Sequence, residues 1–134
     1  MKNLSFMFKF KSEPDTIREL ETVVQKMSTE FELDRSIYPN LLISLTEAVN
    51  NAIVHGNNMD DEKFVRVDFC KFSDHLKIRV SDEGSGFDYE EIPDPTMPEN
   101  IETIGGRGVF LMHQLCDKVE YQDNGSTVEI SFNI

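Results

Sequence analysis

The chain has 134 residues, 39% of them hydrophobic and 28% charged, which suits a single domain with a real core. Its formal net charge is −12, from 25 acidic against 13 basic residues, so a surface built for direct nucleic-acid binding is excluded. No apolar run approaches the ~20 residues of a membrane helix. The N-terminal MKNLSFMFKFK alternates where a signal peptide needs a continuous apolar stretch, so a cytoplasmic protein with no membrane contact is expected.

Residues 3–11 alternate, with Leu4, Phe6, Phe8 and Phe10 on one face, and predict a strand with one buried side. Ser12-Glu13-Pro14-Asp15 marks a helix start, with Ser12 or Asp15 as the cap. Ile17, Leu20, Val24, Met27 and Phe31 then recur at helical spacing to about residue 32, as a core stripe. Asp34 or Ser36 caps a second helix that tolerates Pro39 in its first turn, runs to about His55 and stops at Gly56.

A polar turn from Asn57 to Glu62 leads into two strands, 63–72 and 75–82, joined at Ser73-Asp74-His75. Their inward residues are Val65, Val67 and Phe69, then Leu76, Ile78 and Val80. From Tyr89 to Ile104 there is no periodicity, and Pro93, Pro95 and Pro98 forbid a continuous helix or central strand. A loop of this length inside a compact domain is usually functional, often a lid. A helix to about Asp117 follows, then strands near 118–123 and 126–133 around Asp123-Asn124-Gly125. Cys70 and Cys116 lack metal-site spacing and read as reduced, buried small hydrophobes. The order β-α-α-β-β-loop-α-β-β predicts one domain over residues 1–134. Its fold class is an α/β (α+β) two-layer sandwich, a mixed, mostly antiparallel sheet with helices on one face.

Three stretches carry candidate chemistry. In the second helix Leu42, Leu45, Val49, Ala52 and Ile53 form an apolar stripe, and Glu47, Asn51 and His55 step along the opposite side at i, i+4 and i+8. Asn is a poor helix-interior residue, because its amide competes for backbone hydrogen bonds. A row that includes Asn50 and Asn51 therefore suits a site-lining face, with a plain amphipathic surface as the alternative. Asp82, Gly84 and Gly86 put a carboxylate at a strand end before two glycines that let a ligand approach bare backbone. A simple strand-to-loop turn is the alternative there. Gly105-Gly106-Arg107-Gly108 runs into a helix, where free N–H groups and a guanidinium suit an anion, or else where a hinge is needed. It is neither a Walker A sequence nor a dinucleotide fingerprint.

Taken together and in this order, TEAVNNAIVHGN, DEGSGFD and GGRGVFLM resemble the N box and the two glycine boxes of the GHKL (Bergerat-fold) ATPases. Within that superfamily the short chain resembles the bacterial anti-sigma factor serine/threonine kinases. The resemblance implies a histidine-kinase-like ATPase domain binding ATP or ADP with Mg²⁺, its lid at about 88–106. It implies Glu47 as general base, Asn51 as Mg²⁺ ligand and Asp82 as acceptor for the adenine amine. Gly84 and Gly86 would admit base and sugar, Gly105, Gly106, Arg107 and Gly108 would cover the phosphates, and Thr127 would complete the adenine pocket. Asn50 fits the same face, and His55 fits it too or satisfies backbone near Gly56. The lid has no Lys or Arg before Arg107, which leaves phosphate charge to Mg²⁺, helix N–H groups and that one side chain.

The family's partners would be a sigma factor and a small antagonist (anti-anti-sigma) protein phosphorylated in a partner switch, with a homodimer as the assembly. Two readings compete with the kinase: a nucleotide-gated binding protein that transfers no phosphate, and an interaction domain without nucleotide.

Overall fold

The computed structural model describes residues 4–84 and 112–134. The predicted lid, Gly86, Gly105, Gly106, Arg107 and Gly108 lie outside the described residues.

Among the described residues, five strands and two α-helices follow the predicted order. Strand β1 is Leu4–Lys11, helix α1 is Thr16–Glu30 and helix α2 is Tyr38–Asn51. Strands β2 (Phe64–Lys71), β3 (His75–Ser81), β4 (Lys118–Gln122) and β5 (Thr127–Asn133) complete the sheet. Residues 112–115 are helical, at the end of the predicted third helix.

The strand order is β1-β2-β3-β5-β4, and all four described pairings are antiparallel. Alternation decides which face packs. Phe8, Val67 and Val80 lie opposite one another through β1, β2 and β3, and Val80 continues to Val128 of β5 and Tyr121 of β4. That face meets Leu20, Val24, Met27 and Phe31 of the α1 segment and Leu41, Leu45, Ala48 and Val49 of α2 in one core. Each of these Leu, Val, Met and Phe side chains removed from water is worth about 1.5–3 kcal/mol, which holds the helices on this face of the sheet. Strand β5 sits between β3 and β4 and is buried along six of its seven residues, as a central strand should be. The two-layer α/β sandwich expected from the pattern is thus the fold.

Local details depart from expectation at the helix ends. Asp15 occupies the N-cap position of α1, but its side chain caps nothing. Ser12 is 1% exposed and serves elsewhere, while the Thr16 hydroxyl donates to the Lys11 carbonyl at 2.6 Å. Asp34 caps a short 3₁₀ turn, Arg35–Ile37, by accepting the Ser36 N–H at 2.8 Å, and α2 begins after that turn. The buried stripe of α2 includes Leu41 and Ala48, with Leu42 only at its margin. Cys70 and Cys116 are free, and both are half-buried rather than fully buried.

The largest departure is at the end of α2. The helix does not stop at Gly56 in α geometry; Ala52–Gly56 form a π turn, with the Asn57 N–H donating to the Ala52 carbonyl at 2.8 Å. Single π turns in helices are frequent at functional sites. Here the wider turn delivers Gly56 and Asn57 against the end of β3.

Candidate functional site

The end of α2, the end of β3 and the β4–β5 hairpin surround a cleft lined by Ala48, Asn51, Ala52, Gly56, Val80, Asp82, Met112, Tyr121, Gly125, Ser126 and Val128. Ala48 and Ala52 face it at i and i+4, and their small side chains keep the helix from filling it. Val80 and Val128, a cross-strand pair, form an apolar floor. Tyr121 adds a wall, and burial pushes its phenol up to about 12.

Asp82 supplies the carboxylate of this apolar slot. Its backbone N–H donates to the Ser126 carbonyl at 2.9 Å, extending the β3–β5 pairing by one bond. Its Oδ1 accepts the Gly84 N–H at 2.9 Å. Burial raises the Asp82 carboxyl above its ordinary value, and the Gly84 bond and the charge of Lys63 pull part of that back. Among the described residues no donor reaches Oδ2, so Asp82 keeps acceptor capacity for something in the slot.

Two glycines make this placement possible. A Cβ on Gly56 would fall on the Asp82 carboxylate, and a Cβ on Gly84 would strike the Gly56 carbonyl. The π turn and the strand end therefore pack backbone to backbone. Gly125, at φ 91°, closes the β4–β5 turn in a conformation that favours glycine and brings Ser126 to the slot.

The structure sorts the predicted residues unevenly. Asn51 lines the slot beside Asp82, and Gly84 lies against the slot's backbone. Glu47 is half-buried one helical turn before Asn51 on the same face of α2. Asn50 is exposed and is not part of the lining. His55 is exposed within the π turn, which takes it off the row that a continuous α-helix would have given. Thr127 sits on the opposite face of β5 from Val128, and its hydroxyl lies 3.2 Å from Ser81 Oγ and 3.1 Å from Asp123 Oδ2. It is Ser126, one residue earlier, that lines the slot.

Three further residues, Gly56, Asn57 and Ser126, escaped the sequence reading. For the first two the available signal was a His-Gly-Asn run at the end of a helix; nothing in the pattern separated Ser126 from Thr127.

A magnesium ion held with a nucleotide takes one or two protein oxygens and completes its octahedron with phosphates and water. The Asn51 carboxamide has the oxygen chemistry for that, and among the described residues no protein group engages it or the Glu47 carboxylate one turn away. The described residues contain no group of three or more His, Cys, Asp and Glu able to hold a metal alone. None of their helices is long and apolar enough to cross a membrane.

Comparison with known proteins bears on this geometry. A family model described as histidine kinase-like ATPase domain matches residues 10–132. The serine-protein kinase RsbW of Listeria monocytogenes serotype 4a (strain HCC23) is 36% identical over 96 residues, covering 66% of this chain and 61% of that protein. RsbW of Staphylococcus epidermidis is 36% identical over 96 residues, covering 66% and 60%. RsbW of Oceanobacillus iheyensis is 33% identical over 87 residues, covering 60% and 55%. The chain thus spans roughly three-fifths of the length of the curated relatives it matches. The crystal structure of the RsbU and RsbW domains of Rv1364c from Mycobacterium tuberculosis shares the fold, with a TM-score of 0.66 over 97% of this chain and 32% of that one, at 13% identity. By the family match, which runs through α2, the Asp82 strand end and the closing hairpin, the chain belongs to the histidine kinase-like ATPase domain family.

Proposed function

We propose that this protein binds ATP in the cleft at Asp82 and acts as a serine/threonine kinase of the anti-sigma type. On this reading it phosphorylates a small antagonist protein and sequesters a sigma factor when that antagonist is modified. The observation that carries nucleotide binding is the half-buried Asp82 carboxylate at an apolar slot floored by Val80 and Val128. On this reading a purine lies in the slot, and its exocyclic amine donates to Asp82 Oδ2, which no donor among the described residues reaches.

The arrangement of α2 supports the kinase step. Glu47 stands one turn before Asn51, so a serine hydroxyl brought to the γ-phosphate near Asn51 comes within the reach of a carboxylate base. Glu47 takes the hydroxyl proton as the serine oxygen bonds to the γ-phosphorus and the bond to the ADP oxygen breaks. Asn51 would hold Mg²⁺, which when bound neutralises the phosphates. Gly105, Gly106, Arg107 and Gly108 are the proposed phosphate cover, and the similarity to RsbW serine-protein kinases supports the partner-switching role. Assembly as a homodimer and a cytoplasmic location belong to the same proposal.

The test is phosphate transfer from Mg·ATP to the serine of a purified antagonist domain. Glu47→Ala should keep ATP binding and lose about 10²–10⁴-fold in transfer rate. Undiminished transfer in Glu47→Ala would refute the assigned base. The absence of Lys and Arg from the lid before Arg107 favours one second reading, a nucleotide-gated binding protein. ATP binding by the wild type without transfer to any antagonist would select it.

A further inference from the structure

We infer that Asn57 is the positioning residue for the Asp82 acceptor and thereby sets the preference for an amino-bearing purine; the inference rests on the nucleotide reading above. Asn57 lies in the polar run Asn57-Asn58-Met59-Asp60-Asp61-Glu62, yet it is 0% exposed. A buried carboxamide is costly unless its groups are matched, and this one is matched on both ends. Its Nδ2 donates to Ser12 Oγ at 2.7 Å and to the Phe64 carbonyl at 3.0 Å. Its Oδ1 accepts the Glu83 N–H at 2.8 Å. The partners fix the amide's orientation: a carbonyl demands the NH₂ group, and a backbone N–H demands the oxygen.

The three partners belong to the corner after β1, the start of β2 and the strand end at Asp82. Around that last point three successive N–H groups are held in three ways. Asp82 N–H goes to the Ser126 carbonyl, Glu83 N–H to Asn57 and Gly84 N–H back to Asp82 Oδ1. The middle bond is the one made by a side chain from another element. Releasing it frees the Glu83 peptide to rotate, which carries the Gly84 N–H away from Oδ1 and leaves the carboxylate to swing. The Glu83 carboxylate, which accepts the Phe64 N–H, ties the same segment to β2. Asn57 is absent from the lining of the slot, so it acts through Asp82 and touches no ligand.

A rigid acceptor distinguishes a purine whose 6-position donates from one whose 6-position accepts, because an oxo group there faces the half-buried carboxylate and leaves it unpaired. The experiment is calorimetric titration of ADP and of IDP, which replaces the exocyclic amine with an oxo group, at a temperature where every variant is folded. Wild type should prefer ADP by roughly tenfold or more. Asn57→Ala should bring that ratio toward one. Ser12→Ala, which breaks another bond of the same amide, should lower the Tm and keep the ratio. Should Asn57→Ala not fold, Asn57→Asp keeps the acceptor for Glu83 while losing both donations, and should retain the preference. Equal weakening of ADP and IDP in Asn57→Ala, with the ratio intact, overturns the inference, as does loss of preference in Asn57→Asp with the Glu83 amide still protected from exchange. Wild type that binds neither nucleotide overturns the nucleotide reading and base selection with it. In that case Glu83 amide exchange, faster in Asn57→Ala than in wild type, still separates a strand-end clamp from an inert buried amide.

Discussion

Gly56→Ala is a substitution whose sign discriminates between two accounts of the helix end. Gly56 closes a π turn at negative φ, a backbone that alanine accepts, and alanine is favoured over glycine in helical backbone by about 1 kcal/mol. If Gly56 were only a terminator, the variant would gain stability. The structure opposes that gain with a collision. The added methyl would fall on the Asp82 carboxylate, leaving even the farther of its oxygens only 2.8 Å away. Overpacking of this kind costs about 1–3 kcal/mol. At roughly 3–5 °C per kcal/mol for a domain of this size, the net cost of up to about 2 kcal/mol should lower Tm by up to about 10 °C after the helix gain is offset. Relaxation by swinging Asp82 aside would spare some Tm and show instead as weaker nucleotide binding. The assay is therefore thermal unfolding paired with ADP titration, on Gly56→Ala, Asp82→Ala and the double variant. The double variant should recover most of the Tm loss, since the three atoms nearest the added methyl all belong to the Asp82 carboxylate that it removes. A Tm at or above wild type in Gly56→Ala, with unchanged nucleotide affinity, would refute the packing of these two residues.

Two other outcomes follow from the charges. Burial holds the Asp82 carboxyl above its ordinary value in the folded chain, so the folded state binds more protons than the unfolded one across that range, and stability falls as pH rises through it. At pH 7 the ligand-free Asp82→Asn variant should thus have a Tm at or above wild type, with the gap closing below about pH 4, while nucleotide binding is lost. A lower Tm at pH 7, checked by calorimetry, would contradict the burial argument. On the opposite face of the sheet, Glu129 is 6% exposed, and its Oε2 accepts from Arg79 Nε at 2.9 Å and Nη2 at 2.5 Å, with Gln122 Nε2 at 3.0 Å from Oε1. Arg79→Met removes the charged partner of Oε2 and leaves Glu129 only the Gln122 amide, which should cost about 2–4 kcal/mol in urea unfolding, the half-exposed guanidinium keeping the loss below a fully buried pair. Glu129→Gln should cost less than half as much; the reverse order would contradict the pairing.

Much of the fold was legible because its signals are local. Phe6, Phe8 and Phe10, Val65 and Val67, and Ile78 and Val80 alternate at the period of a strand, and Leu20, Val24, Met27 and Phe31 recur at that of a helix. Asn51 and Asp82 were legible as a pair for a different reason, the resemblance of their boxes to a nucleotide-binding family. What was not legible depends on contacts far along the chain. The π turn at Ala52–Gly56 adds no apolar period of its own, and it alone removes His55 from the row of Glu47 and Asn51. Asn57 reads as turn chemistry until Ser12 and Glu83 are seen beside it. Thr127 and Ser126 differ by a single residue at the entry of β5, and one step along a strand exchanges its faces.

The most direct test of the central claim, that the Asp82 cleft holds an adenine nucleotide, is thermal unfolding with and without Mg·ATP. At 100 times its dissociation constant the nucleotide should add about 2.7 kcal/mol, a shift of roughly 8–13 °C for a domain of this size. The account predicts that shift in the wild type, its loss in Asp82→Asn and its marked reduction in Asn51→Ala. Folded wild type with no shift at any ATP or ADP concentration, or a full shift surviving in Asp82→Asn, would contradict it.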